Sequence, residues 1–146
     1  MKAVNPYLNF GGNCEEAFEF YKSVFGGEFV TVMRFKDVPS EVLDENHQLP
    51  ASEAEKIMHI ALPIGPGTIL MGSDTPAAMG PVTAGTNFSI SISTDSQAEA
   101  TELFSGLSAG GQVTMPLDKT FWGAYFGMAT DKFDVQWMVS YDDGQQ

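Results

Sequence analysis

Few side chains in this sequence could carry proton or ligand chemistry. Two histidines occur in 146 residues, His47 and His59, together with one cysteine, Cys14. His59 lies in Ile57-Met58-His59-Ile60-Ala61-Leu62, where strand alternation puts His59, Ala61 and Pro63 on one face and Met58, Ile60 and Leu62 on the other. The apolar set is the natural partner for a helix, which turns His59 to the opposite face. An imidazole there can be a general acid or base or a ligand contact, or a structural histidine hydrogen-bonded within the sheet. His47 sits in an acidic loop. Cys14 falls on the apolar face of a predicted helix, where a thiol packs rather than reacts, and no Gly-x-Ser-x-Gly occurs, so covalent catalysis is set aside.

Trp122, between Phe121 and Gly123 at the start of a predicted strand, can wall a pocket or pack in the core. Trp137 and Met138 adjoin on the last predicted strand, so one faces the helix layer and the other the opposite side. Asp131 opens the final turn, where an aspartate side chain accepts from backbone N–H groups. There is no His-Glu-x-x-His, no Cys-x-x-Cys and no calcium-loop spacing, and the Gly11-Gly12 turn lacks G-x-G-x-x-G.

The elements that must hold these residues come in two similar sets. Asn5 to Phe10 predicts a strand closed by Gly11-Gly12. Asn13 with Glu16 has capping-box spacing before a helix whose Cys14, Ala17, Phe18, Tyr21 and Phe25 share one face, and Gly26-Gly27 ends it. Glu28 to Phe35 predicts a strand, residues 36–54 a long loop that could lie over a pocket mouth, and Lys56 to Ile64 with Thr68 to Ser73 a hairpin around Gly65-Pro66-Gly67. Residues 74–86, rich in Pro, Gly, Ala and Thr, predict a linker.

The pattern then restarts. Asn87 to Ser93 predicts a strand, Ser96 with Glu99 caps a helix with Ala100, Leu103, Phe104 and Leu107 on its apolar face, and Gly110-Gly111 stops it. Gln112 to Leu117, Ala124 to Thr130 and Val135 to Tyr141 complete a second β-α-β-β-β unit. Glu16-Ala17 through Gly27-Glu28 matches Glu99-Ala100 through Gly111-Gln112 with one inserted residue, an internal repeat. The expected fold is α+β: one domain over 1–146, with unit one at about 1–75, the linker, and unit two at about 87–146. Its curved mixed sheets are expected to enclose a cleft.

Composition limits the partners. Hydrophobic residues are 43% and charged residues 18% of the chain, a globular composition. Seven Lys and Arg against 19 Asp and Glu leave a net charge of -12, which repels nucleic acid and anionic membrane surfaces. No apolar run is long enough to span a bilayer, no charged leader precedes one at the N-terminus, and a lone cysteine forms no internal bridge; a cytoplasmic protein is expected.

Several segments resemble the PhnB-like branch of the vicinal oxygen chelate superfamily, which holds glyoxalase I, extradiol dioxygenases and bleomycin-resistance proteins. They are Pro6-Tyr7-Leu8-Asn9-Phe10 running into Asn13-Cys14-Glu15-Glu16-Ala17, Tyr21 to Gly27, Met58-His59, and Thr120-Phe121-Trp122-Gly123 through Thr130-Asp131-Lys132-Phe133 to Trp137-Met138. The resemblance implies the paired fold, a homodimer and a cleft for a small molecule. Metal enzymes of the superfamily place His, Glu or Gln on strands one, four, five and eight; the matching positions here look like Asn5, Met71, Asn87 and Met138. Two amides and two thioethers suit a divalent metal poorly, so no cofactor is expected, although a one-residue change of register would alter the set and reopen metal-dependent glyoxalase or dioxygenase chemistry. The branch commonly has Gly where this chain has Asp134, a residue that tolerates left-handed geometry. A methyltransferase label found in the branch does not fit a chain with no glycine-rich S-adenosylmethionine loop and no parallel α/β pattern.

The ligand-binding candidates are therefore Asn9, Trp122, Trp137 and Met138, with His59 as the catalytic candidate. Whether the chain is an enzyme stays open. It reads as a metal-free binding protein that sequesters a ligand, a cationic one given the acidic balance; as a lyase or isomerase on a small oxygenated substrate using His59; or as a dimeric scaffold with a vestigial cleft.

Overall fold

A computed structural model describes residues 1–39 and 51–142; His47 and most of the predicted long loop lie outside the described residues. The chain divides into two compact units, Met1–Thr83 and Ala84–Gln146. Unit one runs β1 (Tyr7–Phe10), α1 (Cys14–Phe25), β2 (Thr31–Arg34), β3 (Ile57–Gly65), β4 (Thr68–Asp74). Unit two runs β5 (Ile90–Thr94), α2 (Gln97–Ser108), β6 (Gln112–Lys119), β7 (Tyr125–Thr130), β8 (Gln136–Tyr141). The sheets have the orders β1-β4-β3-β2 and β5-β8-β7-β6, and in each the first pair is parallel and the other two antiparallel. The predicted α+β repeat is realised, strand for strand. The strand expected over 28–35 is shorter, Thr31–Arg34, and the one expected over 87–93 lies at Ile90–Thr94.

In unit one, Leu8, Phe10, Ile60, Leu62 and Leu70 meet Cys14, Ala17, Phe18 and Tyr21 of α1, all buried. Phe18 takes edge-to-face positions against Phe10 and Tyr21, with centroids 6.2 and 5.5 Å apart. Gly72 is what lets the helix lie this close: a Cβ there would come within 2.7 Å of the Phe18 ring. Unit two packs Ala100, Phe104 and Leu107 of α2 against Ala129, Trp137 and Val139. Gly127 plays the same part, since its Cβ would lie 2.9 Å from the Phe104 ring.

Two local expectations are corrected. The pairing of β2 with β3 slips between Met33 and Arg34, bringing Ile57 rather than Met58 opposite Arg34. A bulge inserts one residue and flips the alternation. Ile57 is accordingly fully buried with Ile60 and Leu62, while Met58 is only half-buried. At the start of α1, the side chain of Asn13 makes no capping bond. The buried carboxylate of Asp74, at the end of β4, does the work instead: its Oδ1 accepts from Gly12 N–H (3.0 Å) and Cys14 N–H (2.9 Å), and its Oδ2 from Ile57 N–H (2.9 Å). A carboxyl group held in place at the helix N-terminus supplies the acceptor that Asn13, whose backbone is not in the extended capping geometry, does not. Ser96 does cap α2, accepting from Glu99 N–H at 3.0 Å, while the Glu99 carboxylate accepts from Asp95 N–H at 2.9 Å. Asp134 stands at φ 69°, the left-handed turn position where Asp was expected to be tolerated.

Candidate functional site

In each unit the helix covers one face of the sheet, and the candidate chemistry sits on the other. On β1, Leu8 and Phe10 are buried on the helix side, so Tyr7 and Asn9 alternate to the helix-free face, both exposed. Tyr7 pairs with Met71 of β4, Met71 with Ala61 of β3, and Ala61 with Thr31 of β2, which defines one row across the sheet. His59, two residues before Ala61 and opposite Met33, shares that face. The Tyr7 hydroxyl lies 3.3 Å from His59 Nδ1, and the two rings stack with centroids 5.7 Å apart and planes inclined by 27°. Tyr7 remains 43% exposed. Sequence reasoning singled out His59 and Asn9 but not Tyr7, although its alternation with Asn9 in Tyr7-Leu8-Asn9-Phe10 already placed it on their side.

The hydrogen bond leaves the distal ring nitrogen of His59 uncommitted by Tyr7. When Nδ1–H donates to the phenol oxygen, Nε2 presents a lone pair and can act as a base; when the phenol donates, Nε2–H can donate to a ligand.

In unit two the question of which of Trp137 and Met138 faces the helix is resolved. Trp137 is buried with Val139 against α2, and its indole N–H donates to Asp131 Oδ2 at 2.8 Å. Met138 lies on the helix-free face, half-buried. Asp131 also accepts from Phe133 N–H (2.7 Å) and Val135 N–H (3.1 Å) through Oδ1, the turn role expected of it. Trp122 is not a core residue: it is 56% exposed, 5.9 Å from the Phe126 ring and 4.9 Å from Phe121, itself almost wholly exposed.

A separate pocket of about 210 Å³ opens in unit two, lined by Gln97, Asp118, Lys119, Gly123, Tyr125 and Tyr141. Tyr125 and Tyr141 alternate with Gly127 and Val139 on the helix side, so this pocket is distinct from the face that carries Met138.

The hydrogen-bond register gives the neighbours of Met71 and Met138, two of the positions that the resemblance matched to metal ligands. The neighbour of Met71 on β1 is Tyr7, and that of Met138 on β5 is Ser91. Asn5 and Asn87 precede these strands, and Asn5 Oδ1 is already occupied by Ile69 N–H at 3.0 Å. Phenol and thioether in one unit, hydroxyl and thioether in the other, remain unsuited to divalent ions that favour imidazole and carboxylate. Among the described residues no three of His, Cys, Asp and Glu gather where they could hold a metal. Burial, reinforced by the nearby Asp74 and Glu15 charges, pushes the Cys14 thiol up, far from the thiolate a nucleophile needs. Among the described residues no helix is long and apolar enough to cross a membrane.

The model of the glyoxalase/bleomycin resistance protein/dioxygenase superfamily matches residues 3–139. Protein YjdN of Escherichia coli K12 is 29% identical over 140 residues, which cover 94% of this chain and 93% of that protein. Among solved structures, protein PA1353 from Pseudomonas aeruginosa is 43% identical with a TM-score of 0.81, covering 96% of this chain and 97% of its own. The PhnB protein from Bacillus cereus is 24% identical with a TM-score of 0.72, covering 94% and 98%.

Proposed function

The chain belongs to the glyoxalase/bleomycin resistance protein/dioxygenase superfamily, and from that membership we propose that it is a PhnB-like small-molecule-binding protein that works without a resident divalent metal. The ligand is held on the helix-free side of the unit-one sheet, with His59, Tyr7 and Asn9 as polar contacts. The observation that carries this reading is the Tyr7–His59 pair. An imidazole stacked on a phenol and hydrogen-bonded to it, on the face away from the buried core, is not required to hold the sheet. A few convergent polar groups on an otherwise apolar surface are what orient a small ligand. The net charge of -12 favours a cationic ligand. The donor set beside Met71 and Met138 supports the metal-free part of the reading.

The chain acts in the cytoplasm as a homodimer in this proposal, an expectation that rests on the family resemblance. Light scattering at micromolar concentration should return twice the chain mass; a monomer mass would remove that part. Binding itself is tested by thermal shift and titration calorimetry against bleomycin and a panel of small cationic compounds. A hit should be weakened by His59→Ala and Tyr7→Phe. Hits that ignore both substitutions, or an empty screen, would count against the reading.

The second reading is an enzyme of the lyase or isomerase class with His59 as acid or base. It is favoured by one observation, that Tyr7 engages only Nδ1 and thereby orients the ring. If turnover of an identified substrate survives His59→Ala unchanged, that role is wrong.

A further inference from the structure

The helix-free face of unit two carries a row of thioethers that the ligand reading does not need. Met115 of β6 is the direct partner of Met128 of β7, and Met128 is the direct partner of Met138 of β8; Ser91 of β5 closes the row. Directly opposed residues of antiparallel strands point to the same side with Cβ atoms about 4.5–5.5 Å apart. The helix side of β7 and β8 is occupied by the buried Gly127, Ala129, Trp137 and Val139, so Met128 and Met138 lie on the other side, half-buried, and Met115 is 41% exposed. The pairing of β6 with β7 is irregular on both sides of Met115, between Val113 and Met115 and again between Met115 and Asp118. The Met115–Met128 rung is kept while its flanks are not, and irregularities of this kind re-aim a side chain.

We propose that Met115, Met128 and Met138 form a binding site for one soft monovalent cation, Cu(I) or its mimic Ag(I). Each methionine has three rotatable side-chain bonds ending in a polarizable sulfur, so three neighbours on one row can converge on a single ion. Thioethers select Cu(I) over hard and borderline divalent ions. They are neutral donors that never have to lose a proton, whereas binding to thiol or imidazole releases protons and depends on pH. The acidic chain attracts a cation to its surface. The corresponding row of unit one, Thr31, Ala61, Met71 and Tyr7, contains one thioether and cannot form such a site.

The test is anaerobic titration of the full chain with Cu(I) against a competing chromophoric chelator, repeated with Ag(I), in a Cys14→Ser background so that the single thiol does not contribute. The expected result is one ion per chain with an affinity that is flat with pH around neutrality. Met128→Leu, a near-isosteric change, should weaken it by at least the roughly 10- to 100-fold that losing even an outer-sphere partner costs. Met79→Leu, at an exposed methionine of unit one outside the row, should leave it unchanged. No binding beyond the chelator, an affinity that climbs with pH, or full binding in the Met115/Met128/Met138→Leu triple variant would overturn the proposal. If the triple variant does not fold by circular dichroism, X-ray absorption on the loaded parent chain decides: a shell of three sulfurs supports the site, and a nitrogen or oxygen shell refutes it.

Discussion

The two units share strand order, helix placement and row register, yet they present different chemistry at matching positions. Tyr7–Met71–Ala61–Thr31 in unit one corresponds to Ser91–Met138–Met128–Met115 in unit two. Two residues before Ala61 stands His59; two before Met128 stands Phe126. The comparison separates what the fold needs from what it leaves free. Both units keep a glycine under the helix, Gly72 or Gly127, because an aromatic ring occupies the space a Cβ would take. Neither constrains the helix-free row, which is where the two diverge, unit one toward phenol and imidazole and unit two toward thioether and aromatic.

The units are also held differently. Asp74 joins segments that are distant in sequence, the start of α1 and the start of β3, whereas Asp131 accepts from Phe133 N–H and Val135 N–H in the β7–β8 turn and from the Trp137 indole just beyond it. The largest expected effect is in unit two: Trp137→Ala removes a fully buried indole and should cost about 3–5 kcal/mol in urea unfolding. Asp74→Ala should cost about 3 kcal/mol, since it leaves three backbone N–H groups without their shared acceptor. Amide exchange should rise both at 12–14 and at Ile57. Asp131→Ala should confine its exchange effects to 133–137; a spread into distant strands would erase the distinction between the two carboxylates.

The turn role of Asp131 was legible from the sequence because Phe133 and Val135, whose N–H groups it accepts from, are two and four residues away and the turn chemistry is local. Asp74 was not, because its partners near α1 are about sixty residues away and nothing nearby marks it. The repeat was legible for the same reason as Asp131: glycine pairs and helical periodicity are local signals. The slip between Met33 and Arg34, which exchanged Ile57 for Met58, depends on cross-strand pairing that one strand alone does not reveal. Tyr7 could be placed on the right face by alternation, but its hydrogen bond to His59 bridges residues on non-adjacent strands of the sheet, β1 and β3.

A smaller effect sharpens the contrast on the helix-free face. Tyr7→Phe should change stability by no more than ~0.5 kcal/mol, as for other exposed substitutions. It should still weaken a ligand that depends on His59, because the ring loses the bond that orients it. Equal losses of stability and affinity would mean that Tyr7 is structural. The smallest effect is at acid pH and belongs to unit one. Lys56, paired with Glu53 at 2.6 Å, and the Ala77 N–H that donates to it at 3.1 Å hold the Glu53 carboxyl below its ordinary 4.5. A carboxyl lowered by folding contributes stability above its unfolded pKa and loses it as pH falls through the folded one. Melting temperature should therefore drop below pH 4.5, and Glu53→Gln should flatten that drop.

The measurement closest to the central claim is the metal content of the purified chain by elemental analysis, followed by calorimetric titration with Zn, Ni, Mn and Fe(II) at neutral pH. Phenol, hydroxyl and thioether donors at and beside Met71 and Met138 predict no stoichiometric Zn, Ni, Mn or Fe and no tight binding of these divalent ions. One tightly held divalent ion per chain would contradict the metal-free reading.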